Sequence, residues 1–192
     1  MLSEKETIEI LKKTNSLLEG HFILSSGLRS EKYLQCAQLM MHAELAEKIC
    51  SSLAEKIKKE NLKFDLVASP AIGGIIVGYQ VSKFLNVPNI FVERVDNIFK
   101  LRRGFECKNK NVLIVEDVIT TGKSSLECRR LVSRYGAKVS AFACIIDRTN
   151  GKSKIKEKII SQVKLNIPSY KKQDLPKSLI KIKPIKPGSR KL

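Results

Sequence analysis

Residues 112–124 read Val112-Leu113-Ile114-Val115-Glu116-Asp117-Val118-Ile119-Thr120-Thr121-Gly122-Lys123-Ser124. The continuous apolar run from Val112 to Val115 predicts a strand buried on both faces. Two adjacent carboxylates, Glu116 and Asp117, follow at its end. Ligands of open α/β sheets lie beyond the carboxyl ends of the strands, so the acids stand where a substrate would sit. Isolating two like charges there costs stability, which points to a ligand that uses them. Thr120 to Ser124 then supplies hydroxyls, a glycine without a Cβ and a run of amide donors entering a helix, which together make a cradle for a phosphate dianion. Acids and cradle on one segment match a ribose phosphate, with hydroxyls on Glu116 and Asp117 and the 5-phosphate on the loop. Gly122-Lys123-Ser124 also resembles the end of a Walker loop. That motif, Gly-x-x-x-x-Gly-Lys-Ser, requires glycine at position 117, which is Asp117, so the NTPase reading fails on spacing.

Working outward, the same rhythm repeats. Phe64 to Ser69 predicts a strand, Pro70-Ala71-Ile72-Gly73-Gly74 breaks it, and a helix follows to about Leu85. Asn89 to Glu93 and Val139 to Ile146 predict further strands, and Ser124 to Tyr135 a helix closed by Gly136. Upstream, Ser3 and Glu6 form a capping-box start, and Ile8, Leu11 and Leu18 extend a first helix toward Gly20. Leu45, Ala46, Ile49, Leu53 and Ile57 make one apolar stripe of a second helix over Ala43 to Lys59. Ile155 to Ile167 is expected to hold one more helix-to-strand unit, and Pro176, Pro184 and Pro187 favour an irregular end. Alternating elements predict an α/β fold, an open, mostly parallel twisted sheet with helices on both faces. At 192 residues and 43% hydrophobic content the chain suits one domain.

Composition narrows the function. No apolar run approaches the roughly 20 residues that span a bilayer, and the start Met1-Leu2-Ser3-Glu4-Lys5-Glu6 lacks the basic, then apolar pattern of a secretory signal. A soluble cytoplasmic protein is expected. Five scattered cysteines without a Cys-x-x-Cys pair argue against a disulfide framework or zinc site. The formal charge is +17, but residues 151–192 hold 13 Lys and Arg against 2 acids, so most of the excess sits in the tail. That tail lacks base-reading patterns and aromatic interleaving, so nucleic acid is not the expected partner. His21 and His42 have no metal-ligand partner at useful spacing and are expected to be polar surface or capping groups.

The segment at 112–124 resembles the 5-phosphoribosyl 1-diphosphate motif of the type I phosphoribosyltransferases: an apolar strand, two acids, two apolar residues, then Thr-x-Gly-x-Ser or Thr. Other stretches resemble the orotate-using branch in the same order. Phe22 to Gly27, continuing from Ser30 to Gln35, resembles a base-covering segment in which Tyr33 would roof the pyrimidine; relatives often carry lysine where Ser25 stands. Ser69 to Gly74 resembles a pyrophosphate-gripping loop, again without the lysine many relatives have at the position of Gly73. Glu93 to Phe105 resembles the mobile loop that closes over the site, usually onto a partner subunit. Arg148, after Ile145-Ile146-Asp147, matches the arginine that holds the orotate carboxylate, a fit of planar guanidinium to planar carboxylate. Lys186 to Arg190 resembles the ending of one bacterial branch.

The resemblance implies a single phosphoribosyltransferase domain over residues 1–192, with a core at about 43–150 and a hood built from about 1–42 and 151–192. It implies transfer of ribose 5-phosphate from 5-phosphoribosyl 1-diphosphate to orotate, giving orotidine 5'-phosphate and diphosphate in pyrimidine biosynthesis. The donor would lie on Arg94, Glu116, Asp117, Val118, Ile119, Thr120, Thr121, Gly122, Lys123 and Ser124, and orotate on Thr120, Arg148 and Tyr33. Asp117 and Lys100 would be catalytic, with Arg102 and Arg103 either assisting Lys100 or forming salt bridges. Magnesium is expected as cofactor, held through substrate oxygens rather than by a protein ligand set, and a homodimer with shared sites is expected. The alternatives are a transferase for another base and a nucleic-acid-binding regulator on the same fold.

Overall fold

The computed structural model describes residues 1–24 and 26–187. In chain order the elements are α1 Glu4–Lys13, β1 Leu17–Ile23, β2 Arg29–Leu34, α2 Cys36–Met40, α3 Ala43–Lys58, β3 Leu66–Pro70, α4 Gly73–Leu85, β4 Asn89–Val95, β5 Ile98–Lys100, β6 Asn111–Ile119, α5 Lys123–Arg134, β7 Lys138–Asp147, β8 Ile159–Lys164 and α6 Lys177–Ile180. Six strands form the central sheet in the order β5-β4-β3-β6-β7-β8. All neighbours are parallel except the edge pair β4–β5. One apolar layer joins α1, α3 and α4 to Val67, Leu113 and Val115, and the other joins Cys128 and Val132 of α5 to Ala68, Val112 and Ile114. The expected architecture, a mostly parallel sheet covered on both faces, is what the chain forms.

Several elements depart from the sequence reading. The Ser3–Glu6 capping box is present, but α1 stops at Lys13. Thr14 Oγ1 turns back to the Ile10 carbonyl at 2.9 Å and Asn15 adopts a left-handed φ of 54°, so Leu18 belongs to β1 and not to the helix. Residues 155–167 yield only β8, reached from β7 without a helix. Because β8 completes the central sheet and α1 packs its Leu11 into the main core, the core extends beyond 43–150 at both ends. His21 is buried, with Nδ1 2.9 Å from the Ile182 carbonyl; it is not a surface group. His42 is exposed at the start of α3, where its side chain makes no capping bond.

β1 and β2, in the segment expected to form a hood, make a separate two-stranded sheet, and the tail is stitched to both. Ile23 donates to the Ile185 carbonyl at 2.8 Å, and Arg29 and Tyr170 exchange two 2.8 Å backbone bonds. Pairing at Tyr170 and Ile185 ties the proline-punctuated end to the hairpin, and this end includes the one-turn helix α6. Ser25 and positions 188–190 of the ending motif lie outside the described residues. Among the described residues no helix is long and apolar enough to cross a membrane.

Close packing of α4 on β3 depends on Gly78, where an added Cβ would lie 1.8 Å from Ser69 Oγ and 3.0 Å from Asn89 Oδ1. Overpacking of this kind costs about 2–4 kcal/mol. Gly78→Ala is therefore expected to lower Tm by roughly 5–15 °C in a thermal melt.

Candidate active site

β3 leads through α4 to β4 on one side of the sheet, while β6 leads through α5 to β7 on the other. The chain order thus reverses between β3 and β6, which is where an open α/β sheet leaves a crevice beyond its strand ends. The loops at 70–74 and 120–122 flank that crevice.

The acids lie inside β6 and not just past its end, because pairing with β7 continues to Ile119↔Asp147. Side chains alternate along a strand, so the two carboxylates leave on opposite faces. Glu116 follows Ile114 toward α5 and accepts a hydrogen bond from Ser125 Oγ. Asp117 follows Val115 toward α4, where its Oδ2 fills the space beside Gly73: a Cβ there would approach to 2.6 Å. The lysine position that Gly73 leaves vacant is thus where Asp117 rests. Both acids still line one cleft of about 1140 Å³ with Gly73, Gly74, Arg94, Arg103 and Ser124.

Burial raises both carboxyls. Glu116 is pushed up to about 7, with the Ser125 hydrogen bond pulling the other way and the Asp117 charge adding to the rise. For Asp117 the upward push of burial is opposed by the backbone amides of Val118 and Asp117 itself.

Glu116, Val118, Ile119, Thr120, Thr121, Gly122, Lys123, Ser124 and Ser125 enclose a smaller recess of about 130 Å³. Gly122 has φ 76°, and a Cβ there would press on Ile155 Cδ1 at 2.9 Å. The N-cap residue Gly122 has no side chain to offer, and Thr121 Oγ1 takes only the Lys123 N–H at 3.3 Å, so this helix start has the form of an anion cradle.

The segment resembling a mobile loop is a β4–β5 hairpin turning on Asp96 and Asn97, both at positive φ. Arg94 reaches the cleft, with its guanidinium carbon 4.0 Å from the centre of the Phe99 ring. Arg103 also lines the cleft and bonds Glu93 at 3.2 Å. Lys100 is exposed on β5, and neither it nor Arg102 lines the cleft; the structure does not bring Lys100 to the acids. Tyr33 packs on Phe22, centroids 5.7 Å apart, and is likewise outside the cleft lining.

Arg148 follows β7 and donates its backbone N–H to Ile119 at 2.8 Å, so it stands against the cradle loop. With Thr120, Thr121 and Lys123 it lines a further cleft of about 620 Å³. Among the described residues its Nε is buried without a partner, and Nη2 makes only a long 3.4 Å contact with the Ile167 carbonyl. Burial pulls this guanidinium below its usual value, which leaves a cation in want of an anion. The sequence reading did not find Gln35, Met40, Met41, Phe91 and Phe99 as cleft residues. It also missed Ser125, although that residue directly follows the motif.

Comparison with known proteins gives a consistent picture. The phosphoribosyl transferase domain family matches residues 40–174. Orotate phosphoribosyltransferase of Bartonella quintana is 46% identical over the full length of both chains, and that of Parvibaculum lavamentivorans is 44% identical over 98% of each. The crystal structure of orotate phosphoribosyltransferase from Aeropyrum pernix superposes with a TM-score of 0.72 at 23% identity, covering 82% of this chain and 92% of that one.

Proposed function

The chain belongs to the phosphoribosyltransferase family, and we propose the following division of labour among its residues as it transfers ribose 5-phosphate to orotate. The observation that carries this reading is the unpaired, half-buried Arg148 beside an acid pair and an anion cradle on one strand-loop-helix segment. Glu116 and Asp117 take the ribose hydroxyls, the loop from Thr120 to Ser124 takes the 5-phosphate, and Arg94 takes the diphosphate. Arg148 and Thr120 hold orotate, with Tyr33 in the hood above. As the bond from C1 to diphosphate weakens, positive charge grows on the ribose and N1 of orotate attacks from the opposite face. Catalysis by this chain then rests on positioning and on countering charge. Arg103 is the loop cation best supported by position; Lys100 would have to swing inward to reach the diphosphate.

Among the described residues no three His, Cys, Asp or Glu side chains cluster for a metal. A pair of carboxylates in an open cleft suits magnesium that arrives on the donor and keeps mostly substrate and water oxygens. Bound there, magnesium would offset the charge gathering on the diphosphate.

The outer face of α4 supports a homodimer. Ile72, Ile76 and Tyr79 recur at helical spacing and are 86%, 52% and 64% exposed, with Met41 nearby at 68%. Such a stripe, which runs from the cleft lining at Met41, Ile72 and Ile76 out to Tyr79, suits a second copy of the chain, and Ile76→Glu with Tyr79→Glu should sediment as a monomer. The cytoplasm is the proposed location, in keeping with five buried, unpaired cysteines.

The deciding assay follows loss of orotate absorbance with donor and magnesium, beside hypoxanthine and uracil; turnover of either of those in place of orotate would overturn the base assignment. Its pH dependence has a fixed sign. A ribose hydroxyl donates to the ionised form of Glu116, whose value is raised to about 7, so the donor KM should fall as pH rises from about 6 to 8. Ser125→Ala removes the bond that favours ionisation and should move this limb to higher pH.

A further inference from the structure

Arg94 is held from three directions. Its Nη2 donates to Glu127 Oε2 at 2.5 Å and its Nη1 to the Asn97 carbonyl at 2.7 Å. Its guanidinium face lies 4.0 Å from the centre of the Phe99 ring. The left-handed Asp96-Asn97 turn aims the Asn97 carbonyl back at Arg94, and Phe99 stands directly opposite Arg94 in the hairpin register. Glu127 alone among these partners comes from outside the hairpin, from α5, whose first residues form the anion cradle. Arg94 and Phe99 line the large cleft, whereas Glu127 lines the separate cleft that also holds Thr120, Thr121 and Arg148. The carboxylate thus grips the guanidinium from outside the large cleft that Arg94 lines.

We infer that Glu127 is a positioning residue that fixes Arg94 for the donor's diphosphate and ties the hairpin to the phosphate-cradle helix. The inference rests on the reading of Arg94 as a diphosphate ligand. A guanidinium is a planar fork, and each nitrogen bonded on one side leaves the remaining N–H directions fixed on the other. Without Glu127, Arg94 keeps its charge but regains rotamer freedom that a ligand must then remove. The pair has little else to do. Its side chains are 37% and 24% exposed, and ion pairs so open to solvent add little to folding stability. Arg102 and Arg103 both bridge to Glu93, so they do not substitute at Glu127.

The test measures binding of inorganic pyrophosphate with magnesium by calorimetry on the full chain, together with steady-state KM values. Wild type is compared with Glu127→Ala, Glu127→Gln, Arg94→Ala and the Arg94→Ala, Glu127→Ala double variant. Glu127→Ala should weaken pyrophosphate and raise the donor KM about tenfold, a coupling of ordinary size for contacting residues. Tm should stay near wild type, and kcat should change far less than the donor KM. Glu127→Gln, which keeps one acceptor oxygen, should recover most of the loss, and Glu127→Ala should add nothing in the Arg94→Ala background. If Arg94→Ala weakens pyrophosphate but Glu127→Ala leaves it unchanged or tightens it, the inference fails while the reading of Arg94 survives. If Arg94→Ala itself has no effect, both fall.

Discussion

An Asp117→Asn enzyme is expected to fold normally and to lose about two to three orders of magnitude in kcat, the usual consequence of removing one preorganised electrostatic group from a reacting centre. The substitution keeps shape and removes charge. Asp117 sits inside β6 rather than on a loop, and its carboxylate occupies the volume that Gly73 leaves open. Backbone amides of Val118 and Asp117 favour its ionised form against burial. A fixed negative charge facing the ribose is worth most when positive charge develops there, so the loss should appear in kcat more than in donor KM. Single-turnover rates with saturating donor and orotate would measure it. A decrease smaller than about tenfold would mean that the carboxylate binds ground state and transition state alike.

Arg148→Ala should raise the orotate KM by roughly two to three orders of magnitude, because truncating one partner of a hydrogen-bonded charge pair costs about 2–5 kcal/mol. The native guanidinium has a buried Nε with no partner and only one long contact at Nη2, so little in the protein competes with a carboxylate for it. Arg148→Lys should rescue poorly, since an ammonium cannot offer two parallel donors. Pyrophosphate binding should survive both changes. Unchanged orotate saturation in Arg148→Ala would turn attention to another base.

Much of this site could be read from residues 112–124, because a strand, a charge pair and an amide cradle were contiguous there. The extent of the strand was not legible. Aspartate is depleted in strands, so two acids looked like a terminus, and only pairing with β7 through Ile119↔Asp147 carries β6 past them. The same continuation explains why the carboxylates face opposite helices, which adjacency in sequence conceals. Leu18 matched a helical period by coincidence; the Thr14-Asn15 break, visible only as two ordinary polar residues, ends α1 before it. By contrast, the hairpin at Asp96-Asn97 did leave a signal, a two-residue pair suited to positive φ, which the basic composition of the segment obscured. The cleft residues contributed by α2, Met40 among them, could not have been found locally, because they reach the site only when α2 packs near α4.

The hood's backbone pairing with Tyr170 and Ile185 bears on biogenesis. Every strand of the central sheet lies between residues 66 and 164, so a nascent chain can assemble its sheet while the two residues that clasp β1 and β2 are still inside the ribosome. A growing polypeptide folds from its N-terminal side as synthesis proceeds, yet here the β1–β2 hairpin must wait for Tyr170 and Ile185, which follow the whole central sheet along the chain, before its outer edges are satisfied. A product stalled before Tyr170 would carry β3 to β8 and lack the backbone partners of β1 and β2.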